Sequence, residues 1–179
     1  MKILTEKQVH TKVFAGTVDL ITGIDDFDTK DLTYNSEFHT YRYKNKIIPS
    51  VTQLLDKGEY TDVDPEILKY AQDKGTLIHK EIEVWWNTQK EGFTDEFYKF
   101  LDLFIENKKM FENEALWDYK TYATATPEKR KKCYEQMEYY SQGIEYLTGK
   151  KITQFYMIHL PHNKKGKIID LTEEFRDEI

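Results

Sequence analysis

A chain of 179 residues with 39% hydrophobic and 15% aromatic content is long enough for one well-buried core and too short for two full domains, so a single domain over residues 1–179 is expected. The one cysteine, Cys133, excludes an intramolecular disulfide, a zinc ribbon and an iron–sulfur centre and suits a reducing cytoplasm. No apolar run reaches the roughly 20 residues of a spanning helix, and a soluble protein without a membrane partner is expected. The net charge of −6 disfavours a protein that coats nucleic acid, because such binding relies on Lys and Arg displacing counterions. It does not exclude a protein whose site concentrates carboxylates and whose basic residues line the path of one strand.

In chain order, residues 3–22 alternate β-branched and polar side chains and predict a β-hairpin or two short strands, with Asp19 inside a strand between Val18 and Leu20. Residues 23–31 are acidic and apolar-poor and read as a connection. In EFHTYRYKNKIIPSVTQLL a strand pair turns at Lys44 to Lys46 and leads to Pro49. Ser50 with Gln53 three residues on is a capping box that opens a short helix.

Asp64 and Pro65 open a second helix, EILKYAQDKGTLIHKEIEVWWNTQ, interrupted only by Gly75. There Ile78, Ile82 and Trp85 form an apolar stripe, and His79 and Glu83 share the face beside it. Thr94 begins a helix whose Phe97, Phe100, Leu101, Phe104, Ile105 and Phe111 look like a core face. ALWDYKTYA, residues 115–123, reads as a buried strand. Thr126 and Pro127 start a long helix carrying Cys133, Met137, Tyr140, Ile144 and Leu147 at helical spacing until Gly149 stops it. ITQFYMIHL, a turn at NKKG and KIIDL form a C-terminal hairpin, and a short helix follows Thr172. The sum is an α/β or α+β fold with a mixed central sheet flanked by helices.

Hydrolysis of a phosphodiester near neutral pH needs a hard divalent cation, an activated water, and positive charge where the transition state gathers negative charge. Two carboxylates and a lysine are the minimal kit. In Asp118-Tyr119-Lys120 the period-two alternation of a strand puts the carboxylate and the cation on one face. Asp28-Thr29-Lys30 and Glu106-Asn107-Lys108 match the same tripeptide. The first lies in a polar connection and the second on a helix, where positions two apart diverge. Basic runs at Lys129, Arg130, Lys131 and Lys132, and at Lys164, Lys165 and Lys167, are ordinary solvated faces or a grip on a nucleic-acid backbone.

Four segments taken together carry a resemblance. AGTVDL at 15–20, GTLIHKEIE at 75–83, WDYKT at 117–121 and QMEYY at 136–140 resemble the four signatures of the RecB-like and phage-type exonucleases of the PD-(D/E)XK nuclease superfamily. The segment HTYRYKNKIIPSVTQLL is also similar to the entry segment of phage-type members. The resemblance implies a restriction-endonuclease-like core and a Mg²⁺- or Mn²⁺-dependent deoxyribonuclease, an exonuclease of phage or bacterial recombination or repair, with an endonuclease as a further option. Carried across, His79, Asp19, Asp118 and the Tyr119 carbonyl hold the metal, and Lys120 orients the attacking water. Glu83 supports His79 or a metal-bound water, and Gln136 and Tyr140 pack behind the site and help hold DNA, with Lys129, Arg130 and Lys131 gripping the strand. A homo-oligomer and a phage recombination partner are both compatible with the resemblance.

The family runs histidine helix, first aspartate strand, Asp-x-Lys strand, whereas AGTVDL here precedes the histidine helix. A natural rearrangement, an engineered permutation and a hairpin donated by a neighbouring chain all fit that order. The alternative function is a catalytically inactive DNA-binding or structural relative of the same fold. A CRISPR adaptation nuclease is disfavoured because its usual iron–sulfur cluster needs more than one cysteine.

Overall fold

The computed structural model describes residues 32–35, 40–43, 46–55 and 64–176. The strands expected over residues 3–22, Asp19 among them, and the connection at 23–31 lie outside the described residues. The first described elements are three short strands, β1 (Leu32–Asn35), β2 (Thr40–Tyr43) and β3 (Lys46–Ile48), paired antiparallel in that order. β2 and β3 are the expected strand pair; β1 adds to it, a four-residue strand too short to show a period. Ser50 then caps α1 (Val51–Leu55). The Gln53 N–H donates to Ser50 Oγ at 3.1 Å and the Ser50 N–H to Gln53 Oε1 at 2.8 Å, the reciprocal pair of a capping box.

α2 (Pro65–Thr88) starts where Asp64 accepts from the Glu66 N–H at 2.8 Å, with Pro65 in the first turn. It runs unbroken through Gly75, since 24 residues with a buried Ile78, Ile82 and Trp85 face outweigh the roughly 1 kcal/mol that one glycine costs. The chain turns at Gln89 in the left-handed region (φ 59°) and reaches Gly92, where a Cβ would sit 2.8 Å from both Glu81 Cδ and Phe97 Cγ. Only glycine permits that approach. Glu81 is buried and accepts from the Phe93 N–H at 2.9 Å and from the Thr94 hydroxyl, so a carboxylate on α2 anchors the start of the next helix.

α3 (Asp95–Glu106) and α4 (Lys108–Phe111) follow, with Thr94 capping α3 from 3.1 Å. Phe97, Phe100 and Phe111 are buried as expected, but Ile105 is 57% exposed. It lies eight residues on from Phe97, roughly 80° round the helix, and has passed the edge of the buried stripe. Glu96, in the first turn of α3, is buried. It pairs with Lys74 at 2.8 Å and with His162 Nδ1 at 3.0 Å, tying α3 to α2 and to the turn before the last strand.

α4 leads directly into β4 (Leu116–Lys120), and α5 (Pro127–Thr148) returns the chain so that β5 (Phe155–His159) lies parallel to β4. Thr126 caps α5 and Gly149 (φ 71°) ends it. β6 (Lys167–Asp170) pairs antiparallel with β5, and α6 (Leu171–Glu174) closes the described chain. The register fixes two faces. Trp117, Tyr119, Tyr156 and Ile158 point to the side covered by α2, α3 and α4, and Trp117 is stacked between Phe111 and Tyr156 at 4.3 and 4.4 Å. Leu116, Phe155 and Met157 point to the opposite side, against Cys133 and Met137 of α5 and Leu171 of α6. The protein is a mixed α and β structure with one mixed and one antiparallel three-stranded sheet among the described residues. None of its described helices is long and apolar enough to cross a membrane.

Candidate active site at the edge of β4

Asp118 and Lys120 share the α5 face of β4 because they are two apart in a strand. Asp118 is 1% exposed, and its Oδ2 takes two donors: Lys120 Nζ at 2.8 Å and the Cys133 thiol at 3.3 Å. Lys120 Nζ also donates to Gln136 Oε1 at 3.0 Å, and Gln136 Nε2 donates to the Tyr140 hydroxyl at 2.8 Å. Cys133, Gln136 and Tyr140 fall at i, i+3 and i+7, one stripe of α5. A single polar chain thus runs from the carboxylate of β4 to the middle of α5.

The charges follow from that packing. Burial alone would lower the Lys120 pKa, but Asp118 beside it outweighs burial and the ammonium is held above its ordinary value. Burial, with Asp118 close by, pushes the Cys133 thiol well up, so it stays an S–H donor. The Tyr140 phenol moves up for the same two reasons.

His79 comes from the other layer. The Lys120 carbonyl accepts from the Leu160 N–H at 2.8 Å, so it faces β5, and the Tyr119 carbonyl faces the opposite edge of β4. The His79 Nε2–H donates to that Tyr119 carbonyl at 2.8 Å, and its ring stands edge-on to the Tyr119 ring at 5.6 Å. Burial lowers the His79 pKa and the nearby Asp118 only partly offsets it, so the imidazole is neutral at pH 7. The Tyr119 phenol belongs to the core beyond, where it accepts from Trp86 Nε1 at 3.3 Å.

His79, Asp118, the Tyr119 carbonyl, Lys120, Gln136 and Tyr140 are therefore neighbours, drawn from α2, β4 and α5. Asp19 and the competing Asp28-Thr29-Lys30 lie outside the described residues. Glu83 is paired with Lys80 at 3.0 Å. Glu106 ends α3 and meets Lys165 at 3.4 Å, with Asn107 breaking the helix before Lys108. Arg130 donates from Nε to both Glu174 oxygens at 2.8 and 2.9 Å and from Nη1 to the Ala125 carbonyl, a contact that ties α5 to α6. Lys129 lies over the Tyr122 ring at 4.9 Å, and Lys131 is exposed in the same stretch of α5.

The donors suit a hard or borderline divalent cation: one carboxylate, one neutral imidazole and one backbone carbonyl. His79 Nε2 lies 2.8 Å from the Tyr119 oxygen as a hydrogen-bond donor, and it would ligate a cation only with its ring proton on Nδ1 instead. Among the described residues no group of three or more His, Cys, Asp or Glu side chains stands where it could hold a metal.

Sequence reasoning missed two members of this region. Cys133 was read as a core position, although its spacing from Gln136 put it on the same stripe. His159, read as part of a plain strand, is the register partner of Lys120; only the parallel pairing of β4 and β5 exposes that relation. Compared with known proteins, the chain matches no protein-family model, no curated protein and no solved structure.

Proposed function

We propose that this protein is a metal-dependent nuclease of the PD-(D/E)XK type, hydrolysing DNA phosphodiester bonds as an exonuclease of phage or bacterial recombination or repair. The observation that carries the reading is convergence. Three segments far apart in the chain, each carrying one of the motifs, bring His79, Asp118, Lys120, Gln136 and Tyr140 together around β4. Packing alone does not require a buried carboxylate, a lysine and a histidine to meet there. The parallel pair β4 and β5, joined through α5, is also consistent with the restriction-endonuclease-like core that the resemblance implies.

In this reading Asp118, His79 and the Tyr119 carbonyl, with Asp19 as a further carboxylate, would hold Mg²⁺ or Mn²⁺. Bound there, such a cation would supply Lewis-acid polarisation of the phosphate and a water of lowered pKa. The chain's own residues do the rest. Lys120, kept charged by Asp118 and aimed by Gln136, presents its ammonium to the scissile phosphate and offsets the charge that builds on it. Gln136 is in turn fixed by Tyr140, so the lysine has one orientation rather than many. Neutral His79 keeps its ring at the metal edge of β4. Lys129, Arg130 and Lys131 lie on the first turns of α5, on the DNA side of the reading, with Arg130 also serving the α5 to α6 contact.

The test is digestion of end-labelled linear and closed circular DNA with Mg²⁺. The expected result is cleavage of the linear substrate that stops on chelation, together with weaker Mn²⁺ binding by Asp19→Asn and His79→Ala. Metal-independent cleavage, or Mn²⁺ binding unaltered by both substitutions, contradicts the assignment. DNA binding without any cleavage favours the inactive relative.

A further inference from the structure

The end of the mixed sheet carries a second polar feature beside the candidate site. Lys120, His159 and Lys167 occupy one register row across β4, β5 and β6, so their side chains share the α5 face. His159 is 4% exposed, and its Nε2–H donates to the Tyr122 carbonyl at 2.7 Å. Its Nδ1 is buried without a hydrogen-bond partner among the described residues. This pins the segment after β4 against β5. Lys129 covers the pinned Tyr122 ring, and Lys164 stands in the turn that leads to Lys167. Burial lowers the His159 pKa, the hydrogen bond to Tyr122 partly offsets it, and Lys167, Lys164 and Lys129 lower it a little further.

These lysines are exposed and, among the described residues, make no ion pair. Close by in sequence, Lys165 pairs with Glu106 and Arg130 with Glu174. Three uncompensated charges gathered at one sheet end repel one another, and the arrangement is stabilised by an anion that spans them. Lys129 also precedes Cys133 by four residues, on the stripe of α5 that reaches Asp118 and Lys120. Strands stand about 4.8 Å apart, so Lys167 lies roughly two spacings from Lys120, a distance a few nucleotides of backbone cover.

We propose that Lys129, Lys164 and Lys167 form a phosphate track on which a DNA strand leaves the candidate site across the ends of β5 and β6. The proposal rests on the nuclease reading for its substrate. The track holds the backbone and not the bases, because ammonium groups on flexible stems contact phosphate without regard to sequence.

The test compares the full chain with a Lys129→Gln, Lys164→Gln, Lys167→Gln variant and with a control in which the ion-paired Lys69, Lys80 and Lys150 become Gln. Binding of a labelled oligonucleotide is followed without divalent metal over a range of salt concentrations, and cleavage with Mg²⁺ is scored separately. For the track variant the slope of log affinity against log salt should fall by about one unit per lysine, and the control should keep the parent slope. An unchanged slope in the track variant, an equal fall in the control, or no DNA binding by the parent protein overturns the track. Cleavage with an unchanged slope sinks the track and leaves the nuclease. A lost slope in a protein that never cleaves supports the track and sinks the nuclease.

Discussion

Among the described residues Asp118 receives its two hydrogen bonds, from Lys120 and Cys133, on the same oxygen. The thiol donor lets the smallest effect at the site be isolated. Cys133→Ala removes a buried sulfur and a donor to a charged acceptor, and should cost about 2 kcal/mol in urea unfolding. Cys133→Ser keeps a donor and should cost less; equal losses for the two variants would mean that the hydrogen bond contributes nothing. The histidines give a pH signature. His79 and His159 are both held below the ordinary histidine value by burial, so the folded state is neutral at pH values where the unfolded chain takes up protons. Their contribution is complete above about pH 6.5 and is lost as pH falls below it towards the lowered folded values. The melting temperature should therefore drop between about pH 6.5 and 5. In His159→Gln, which retains a donor for the Tyr122 carbonyl, the drop should be shallower. A wild-type melting temperature flat over that interval contradicts the assignment. The motif residues His79, Asp118, Lys120, Gln136 and Tyr140 were legible because each sits in a short local pattern. The contacts of Cys133 and His159 were not, since they depend on strand register and on how α5 lies across it.

Helices were legible through their ends. Asp64, Thr94 and Thr126 cap where the sequence places them, and Gly149 takes the left-handed conformation that stops α5. What local patterns miss is the environment on the far side of an element. Gly75 and Gly92 look alike in sequence and differ in space. At Gly75 a Cβ meets only Thr121 Oγ1 at 3.9 Å, so Gly75→Ala should raise stability by up to about 1 kcal/mol through helix propensity. At Gly92 a Cβ would overlap Glu81 and Phe97 at 2.8 Å, and Gly92→Ala should cost about 1–3 kcal/mol and loosen the start of α3. Denaturant unfolding of the pair checks the opposite signs. If both substitutions shift stability in the same direction, the close approach of α2 and α3 at Gly92 is misjudged. Ile105 shows the same limit, its periodic position being correct and its burial not, because the stripe it continues has rotated towards solvent by the end of α3.

At the scale of the molecule, the mixed sheet separates two apolar clusters. The site lies where a polar chain from one face meets a histidine from the other, at the edge of β4. That arrangement follows from the direct connection of α4 to β4, legible as a short link between strong helix and strand signals, and from the α5 crossover. The pairing of β4 with β5 rather than with another strand was not, because parallel pairing leaves no local mark. On the proposed nuclease reading, Asp118 and Lys120 act on phosphate and do not merely stabilise the fold. Single-turnover cleavage of end-labelled DNA with Mg²⁺ tests it most directly, using wild type, Asp118→Asn and Lys120→Ala checked for unchanged far-ultraviolet circular dichroism. Each substitution should slow cleavage by about 100-fold or more, since each removes charge acting on the transition state. Undiminished cleavage by either folded variant would place the chemistry elsewhere.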